Sequence, residues 1–213
     1  MALYGRIFPN SIGDWMQRVV LSLFDYSGNW SRPYAEAGWR VVQVDLKLGI
    51  DVLDINVCWL HRNVGVYADV ILAAPPSTDF AGSGAQYWKA KDKDGRTEMS
   101  LKLVKKVLWC CQMLVPRVWA MENPVGRLNK LLPQLKQYGP WYWQPWWYGD
   151  PYTKKTGLWG VFNRDLPRNE VVPDKVCLQG SWVQRLGGSS ERTKTLRSMT
   201  PMGFAKAFYA VNH

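Results

Sequence analysis

The chain has only two histidines, His61 and His213, among 213 residues. That leaves little from which to build a histidine-based metal centre or a Ser–His nucleophile pair. Its four cysteines, Cys58, Cys110, Cys111 and Cys177, show no Cys-x-x-Cys spacing, so no zinc site is expected. Cys110 and Cys111 fall in an apolar helical run and read as buried thiols. No apolar stretch approaches the length that crosses a membrane. No secretory signal is visible, because Asp14 and Arg18 interrupt the first charge-poor segment. A reducing cytoplasm is the expected setting. Acids are also scarce: 17 Asp and Glu face 27 Lys and Arg, a net charge of +10. Such a balance favours a polyanionic partner, nucleic acid or nucleotide foremost. Tryptophan, by contrast, is abundant at 13 residues, six of them between Trp119 and Trp159. Indoles stack on unpaired bases, but they also build cores, and most are expected to do the latter.

Strands alternate with helices along the chain, which predicts an α/β fold: a Rossmann-like, doubly wound, mostly parallel sheet ending in an antiparallel β pair. Residues 1–18, with Gly5, Pro9 and Gly13, read as an arm. Buried strands are expected at 18–24, 40–45, 69–74 and 117–121, with a short one near 51–55 and a loop from there to about Tyr67. A helix opens at Gly28-Asn29 and stops at Gly38. A polar loop carries Lys89, Lys91 and Lys93. Apolar residues Leu101, Val104, Val107, Leu108 and Cys111 mark one face of a helix over 97–114. A further helix is expected over 125–135, and a β pair over 142–148 and 157–162. Residues 163–199 are rich in Pro, Gly, Ser and charge and read as loop. Thr200 as N-cap and Pro201 then start a closing helix over 200–213. The core is thus placed at 19–162.

Five constellations carry possible chemistry. Leu21 to Ser31 forms a strand, a tight turn and a helix start, where Gly28 lets backbone approach a ligand. Asp45 ends the second strand, 17 residues beyond Gly28, close to the spacing of a ribose-binding acid after a glycine turn. The run Asp69 to Ala74 is stopped by Pro75-Pro76, so Ser77 is presented at the carboxyl end of a strand, where open α/β sheets bind ligands. Met121-Glu122-Asn123-Pro124 closes another strand about 45 residues later. Finally, Tyr148-Gly149-Asp150-Pro151 leads through Lys154, Lys155 and Thr156 into a strand.

In this order the five segments resemble the DNA cytosine-5 methyltransferases over about residues 19–162. Thr200-Pro201-Met202-Gly203-Phe204-Ala205 is similar to the terminal segment of the short, phage-type members. Leu23-Phe24-Asp25-Tyr26-Ser27-Gly28 looks like that family's Phe-x-Gly-x-Gly loop, with Tyr26 in place of the first glycine. Pro75-Pro76-Ser77, with Phe80, Gly82 and Gly84 after it, keeps the frame of the Pro-Pro-Cys loop but puts serine where the family has its nucleophile. Glu122-Asn123 matches Glu-Asn-Val, and Lys154 and Thr156 fall on the two arginines of Gln-x-Arg-x-Arg.

The resemblance implies S-adenosylmethionine as methyl donor, with S-adenosylhomocysteine as product. It would be held by Phe24, Asp25, Tyr26, Gly28, Asn29, Trp30, Asp45, Leu46, Asp51, Val52 and Pro75, with Asp54 an alternative to Asp51. It implies DNA or a cytosine nucleotide as substrate, met by Pro76, Phe80, Gly82, Gly84, Lys154 and Thr156. Catalytic roles fall on Ser77, Glu122, Asn123 and Lys154, the glutamate holding the cytosine N3 edge. A prokaryotic host cell is the implied setting. No metal, membrane partner or oligomer is indicated.

Serine is far harder to ionise than cysteine, so Ser77 implies an impaired or inactive enzyme. It could be an engineered inactivation, belong to a natural non-catalytic relative, or serve different chemistry. Residues 163–199 leave too little room for a full duplex-reading region. A single strand, a short weakly specified site or a free nucleotide is therefore the expected substrate. Two other functions compete: a non-catalytic nucleic-acid-binding protein built on the same fold, and an amino-methyltransferase. The latter needs an aromatic residue after Pro-Pro, where this chain has Ser77.

Overall fold

A computed structural model describes residues 17–177, 181–182 and 190–213. The expected arm at 1–18 lies almost entirely outside the described residues, as does part of the 163–199 region. Six strands form one sheet: β1 (Val19–Leu23), β2 (Arg40–Val44), β3 (Val70–Ala73), β4 (Val118–Pro124), β5 (Trp141–Trp143) and β6 (Thr156–Val161). Their order is β2-β1-β3-β4-β6-β5. The first four are parallel, β6 runs antiparallel to β4, and β5 antiparallel to β6. This is the Rossmann-like α/β architecture that the alternation of elements predicts.

Strand residues alternate between two cores. Leu21, Leu23, Ile71, Ala73, Trp119 and Met121 face one side, with Leu60 of α2 (Val57–Asn63) and Val104 and Val107 of α4 (Arg96–Leu114). Val20, Val70, Leu72, Ala120 and Leu158 face the other. There they meet Tyr34 of α1 (Arg32–Glu36) and Phe204 and Phe208 of α7 (Met202–Val211). Because both faces are covered, β1 and β3 are buried along their whole length, which is why they read as unbroken apolar runs. Indoles contribute mainly here: Trp30, Trp39, Trp119, Trp143 and Trp159 are buried, and Trp143 stacks on Phe204 at 3.6 Å and 10°. Cys110 is buried on α4 and its thiol is pushed up to about 12 by that burial, so it is an inert core residue. Cys111 is only partly buried, although burial raises its thiol too.

Several local expectations are corrected. Residues 51–55 are no strand: Asp51 caps a single 3-10 turn, Val52–Asp54, and α2 follows where a loop was expected. The apolar pair Val52 and Ile55, three residues apart, is buried together by that turn, whereas a strand would send them to opposite faces. The lysine-rich segment is helix α3 (Trp88–Lys93). The expected helix over 125–135 shrinks to α5 (Leu128–Leu131), because Pro133 has no amide to continue it and starts a separate 3-10 turn. Strand β4 extends through Pro124, so Glu122 and Asn123 lie within the sheet, not in a turn. The 163–199 region contains helix α6 (Glu191–Ser198), capped by Ser190. Pro201, not Thr200, is the N-cap of α7.

Candidate functional site

The chain passes from β1 to β2 on one side and returns to β3 on the other. The carboxyl ends of β1 and β3 therefore flank a topological switch point. Phe24 follows β1 in the left-handed region at φ +60°, a conformation a bulky residue adopts only under constraint. The constraint is the next residue. Asp25 accepts hydrogen bonds from Ser22 Oγ (2.8 Å), Ser31 Oγ (2.9 Å) and Ser31 N (3.3 Å), while its carbonyl takes Gln43 Nε2 (2.8 Å). Gly28 turns the chain at φ +67°, and a Cβ there would stand 2.9 Å from Gln43 Nε2. Asn29 is buried and donates to Thr200 O (3.1 Å), and Trp30 is buried against Phe204 and Phe208. Among the residues expected to meet a cofactor, then, Asp25, Asn29 and Trp30 build the turn. Phe24 is half-buried and Tyr26 exposed, with Lys47 Nζ over its ring at 5.2 Å.

At the end of β2, Asp45 is half-buried and accepts from Lys47 N through one carboxylate oxygen (2.8 Å). Asp51 does likewise for Leu53 N (2.9 Å). In both, the second oxygen has no hydrogen-bond partner among the described residues. Leu46 is strongly exposed beside Asp45, whereas Val52 is core and Asp54 is exposed.

After β3, Pro75 is buried, Pro76 exposed and Ser77 half-buried. The Ser77 carbonyl accepts from Phe80 N and Ala81 N, both at 2.9 Å, which folds the loop back on itself. No hydrogen bond to the Ser77 hydroxyl is made among the described residues. Phe80 lies fully inside the core and anchors the loop from below, so it packs instead of facing a ligand. Gly82 and Gly84 sit in the 3-10 turn that follows. Gly82 N donates to Val125 O (2.9 Å) and Arg127 N to Phe80 O (3.0 Å), which ties the loop to the turn after β4. Gly126 makes that contact possible: a Cβ there would fall 1.9 Å from Phe80 O.

Strand β4 carries the acid to the same end of the sheet. Glu122 is 7 % exposed, and its Oε1 pairs with Lys154 Nζ at 3.2 Å. Glu122 Oε2 and Asn123 Oδ1 are buried without a hydrogen-bond partner. Asn123 Nδ2 donates to Pro75 O at 3.3 Å, so the acid strand and the Pro75-Pro76-Ser77 loop are joined directly. Buried polar atoms are normally satisfied, so each of these acceptors lacks a donor among the described residues. Lys154 is positioned by Gln144 Oε1, which accepts its amide (2.9 Å). Thr156 is buried, and its hydroxyl closes on Lys154 O (2.8 Å). Tyr152, not foreseen from sequence, stands near enough to feel this acid: burial first, then Asp150 and Glu122, push its phenol well above the ordinary range.

A second group also escaped sequence reasoning. Arg127, 6 % exposed, makes a two-pronged bond to Asp92 (both 2.8 Å) and donates to Thr97 Oγ1 (2.8 Å) and Asp79 O (3.1 Å), with Trp88 over its guanidinium at 4.7 Å. Its hydrogen bond holds the Asp92 carboxyl below the usual range. Lys91 pairs with Asp79 (3.1 Å) and donates to Thr78 O. Lys91, bonded to the two residues after Ser77, is thus spent on holding the loop. Both histidines lie elsewhere: His61 is exposed on α2, and His213 stacks on Tyr209.

The sheet defines a Rossmann-like α/β protein, and the residues singled out from the sequence end or follow strands β1 to β4 beside its switch point. No family model and no curated protein matches the chain. Among solved structures, it is similar to a protein described as a DNA modification methyltransferase encoded within an E. coli prophage (17 % identity, TM-score 0.48, 73 % of this chain and 52 % of that one). It is also similar to the Entamoeba histolytica methyltransferase EhMeth (10 %, 0.46, 82 % and 61 %). A mutant of Spodoptera frugiperda DNMT2 is a third (17 %, 0.44, 82 % and 60 %). The chain spans between half and about three-fifths of the length of these structures.

Among the described residues no three His, Cys, Asp or Glu side chains gather as a metal site, and no helix is long and apolar enough to cross a membrane.

Proposed function

We propose that this chain is an S-adenosylmethionine-dependent methyltransferase fold built for the C5 position of cytosine in nucleic acid, with its nucleophile disabled at Ser77. The observation that carries the reading is the buried Glu122, clamped by Lys154 on one oxygen and unpaired on the other, joined through Asn123 to the Pro75-Pro76-Ser77 loop. A carboxyl group so held suits the Watson–Crick edge of a flipped cytosine, where it meets the N3 and exocyclic amine positions.

The β1 and β2 ends fit a nucleoside-bearing cofactor in part. Asp45 and Asp51 each keep one carboxylate oxygen unused, and Tyr26 and Leu46 expose apolar surface near Asp45. Asp45 would hold the ribose hydroxyls, with Asp51 as the further acid. S-adenosylmethionine, when bound, supplies an electrophilic methyl group.

The protein's own residues would divide the work. Glu122 orients the base, and Lys154 holds that carboxyl group in place. The Ser77 oxygen would add to C6, forming an O–C6 bond and moving the C5–C6 electron pair toward C5. After C5 gains its methyl group, water would take the C5 proton, the C5–H pair would re-form the C5–C6 double bond, and the O–C6 bond would break with its pair returning to the Ser77 oxygen. The first step needs an alkoxide or a base beside it. Among the described residues no histidine or carboxylate bonds Ser77, and Lys91 is committed to Asp79 and Thr78. Attack is therefore expected to be very slow, whereas cofactor and base binding are retained.

Calorimetric titration of S-adenosylhomocysteine tests the first half. Saturable binding that Asp45→Ala weakens at least tenfold supports the reading. Absence of binding by the intact chain would leave a nucleic-acid-binding protein of the same fold.

A further inference from the structure

We infer that a single-stranded nucleic acid lies along a ribbon formed by residues 146–154, 168–175 and 181–182, stacking on the Arg168–Trp147 and Tyr152–Trp182 pairs before its target base reaches Glu122. The inference rests on the base-binding role given above to Glu122, and it names the form of the strand that site receives.

The ribbon is defined by backbone pairing. Asn169 N donates to Trp147 O (3.0 Å), Thr153 N to Lys175 O (3.0 Å), Lys175 N to Pro151 O (3.2 Å) and Trp182 N to Thr153 O (2.8 Å). Along it, aromatic rings and cations come in pairs. The Arg168 guanidinium lies 4.3 Å from the Trp147 ring centre, and Lys175 Nζ lies 5.2 Å from that of Trp182, which itself packs 6.1 Å from Tyr152. Two residues beyond Tyr152 comes Lys154, the partner of Glu122. Tyr152 thus lies between the track and Lys154, which is bonded to Glu122.

Alternating rings and cations serve an unpaired strand. Bases stack on the ring faces or on the arginine plane, and the cations meet phosphates. In a duplex those base faces are already covered. A duplex reader also needs a helix or projecting β arm to enter the major groove. The ribbon lies flat instead: Trp147 packs on the core beneath α7, and Lys154 reaches inward. Among the described residues the only helix between β6 and α7 is α6. Its Thr195 hydroxyl accepts from Lys47 Nζ (3.1 Å), which follows β2 at the opposite edge of the sheet from β5.

Fluorescence anisotropy with the full chain tests this. The probe is a short labelled deoxyoligonucleotide of mixed sequence, offered single-stranded and as a duplex at about 0.15 M salt. The single strand is expected to bind at least tenfold more tightly. Trp147→Ala should weaken it roughly five- to 150-fold, the range for losing one base stack. Should that variant fold poorly, Arg168→Ala with Lys175→Ala removes two exposed cations, one of them paired with Glu170 at 2.8 Å, and should lower the salt dependence. Lys106→Ala breaks a similar pair over Trp109 on α4 and should change nothing. Duplex binding as tight as single-strand binding overturns the inference, as does a Lys106→Ala loss equal to that of the ribbon variants. A ribo-oligonucleotide run alongside identifies the sugar preferred, and either preference supports the track. The two readings fail separately: strand binding needs no methyl donor, so a working track with no cofactor binding sinks only the methyltransferase assignment. Methyl transfer by Ser77→Cys confined to duplex sinks only the track.

Discussion

Lys154 Nζ lies 3.2 Å from Glu122 Oε1, and both side chains are largely buried, at 14 % and 8 % exposed. The pair spans two segments, the end of β4 and the ribbon before β6, so it fixes the carboxylate in position while leaving its second oxygen for a ligand.

Removing one partner of a buried pair strands the other charge. Glu122→Gln is expected to destabilise the fold by about 3 kcal/mol, and Lys154→Met in the same chain to recover most of it. Urea unfolding of the two single variants and the double variant measures this. Strictly additive losses would mean that the two groups do not interact.

The contact between Phe80 O and Gly126 leaves no room for a methyl group, as the 1.9 Å approach of a built Cβ makes plain. Gly126→Ala should therefore cost about 2 kcal/mol, although the residue is exposed. It should also loosen the Ser77 loop, raising hydrogen exchange at the Phe80 and Ala81 amides. Unchanged stability and exchange would show the stitch to be dispensable.

Asp150 accepts Gly203 N at 3.0 Å, at the start of α7, but burial outweighs that bond and raises its carboxyl above the ordinary value. A raised acid binds more protons folded than unfolded, so its contribution to stability falls as pH climbs from the unfolded value through the folded one. Asp150→Asn keeps the acceptor and removes the titration. The variant is expected to melt at a higher temperature than the parent at pH 7 and to lose the advantage at pH 4. Parallel melting profiles would contradict this.

Much of the architecture was readable because its physics is local. The buried parallel strands announce themselves as apolar runs, and Gly28 and Pro75-Pro76 mark the turns at the ends of β1 and β3. The Glu122–Lys154 pair was readable only as two separate motifs, since nothing in the sequence states that residues 32 positions apart will touch. Arg127 was missed for the same reason: its partners Asp79, Asp92 and Thr97 come from three segments, and lysines beside Asp92 made α3 look like solvated loop. Phe80 was assigned to substrate from its place in the loop, but an aromatic after a tight turn is equally suited to plug the core, and burial decided for the core.

The central claim is that only the nucleophile is missing from this site. Tritiated methyl transfer from S-adenosylmethionine to cytosine-containing single-stranded DNA, comparing the chain with Ser77→Cys, tests it directly. The account predicts near-background transfer by the serine form and robust incorporation at C5 by Ser77→Cys. Absence of transfer by Ser77→Cys, in a folded protein that binds both cofactor and strand, would contradict it.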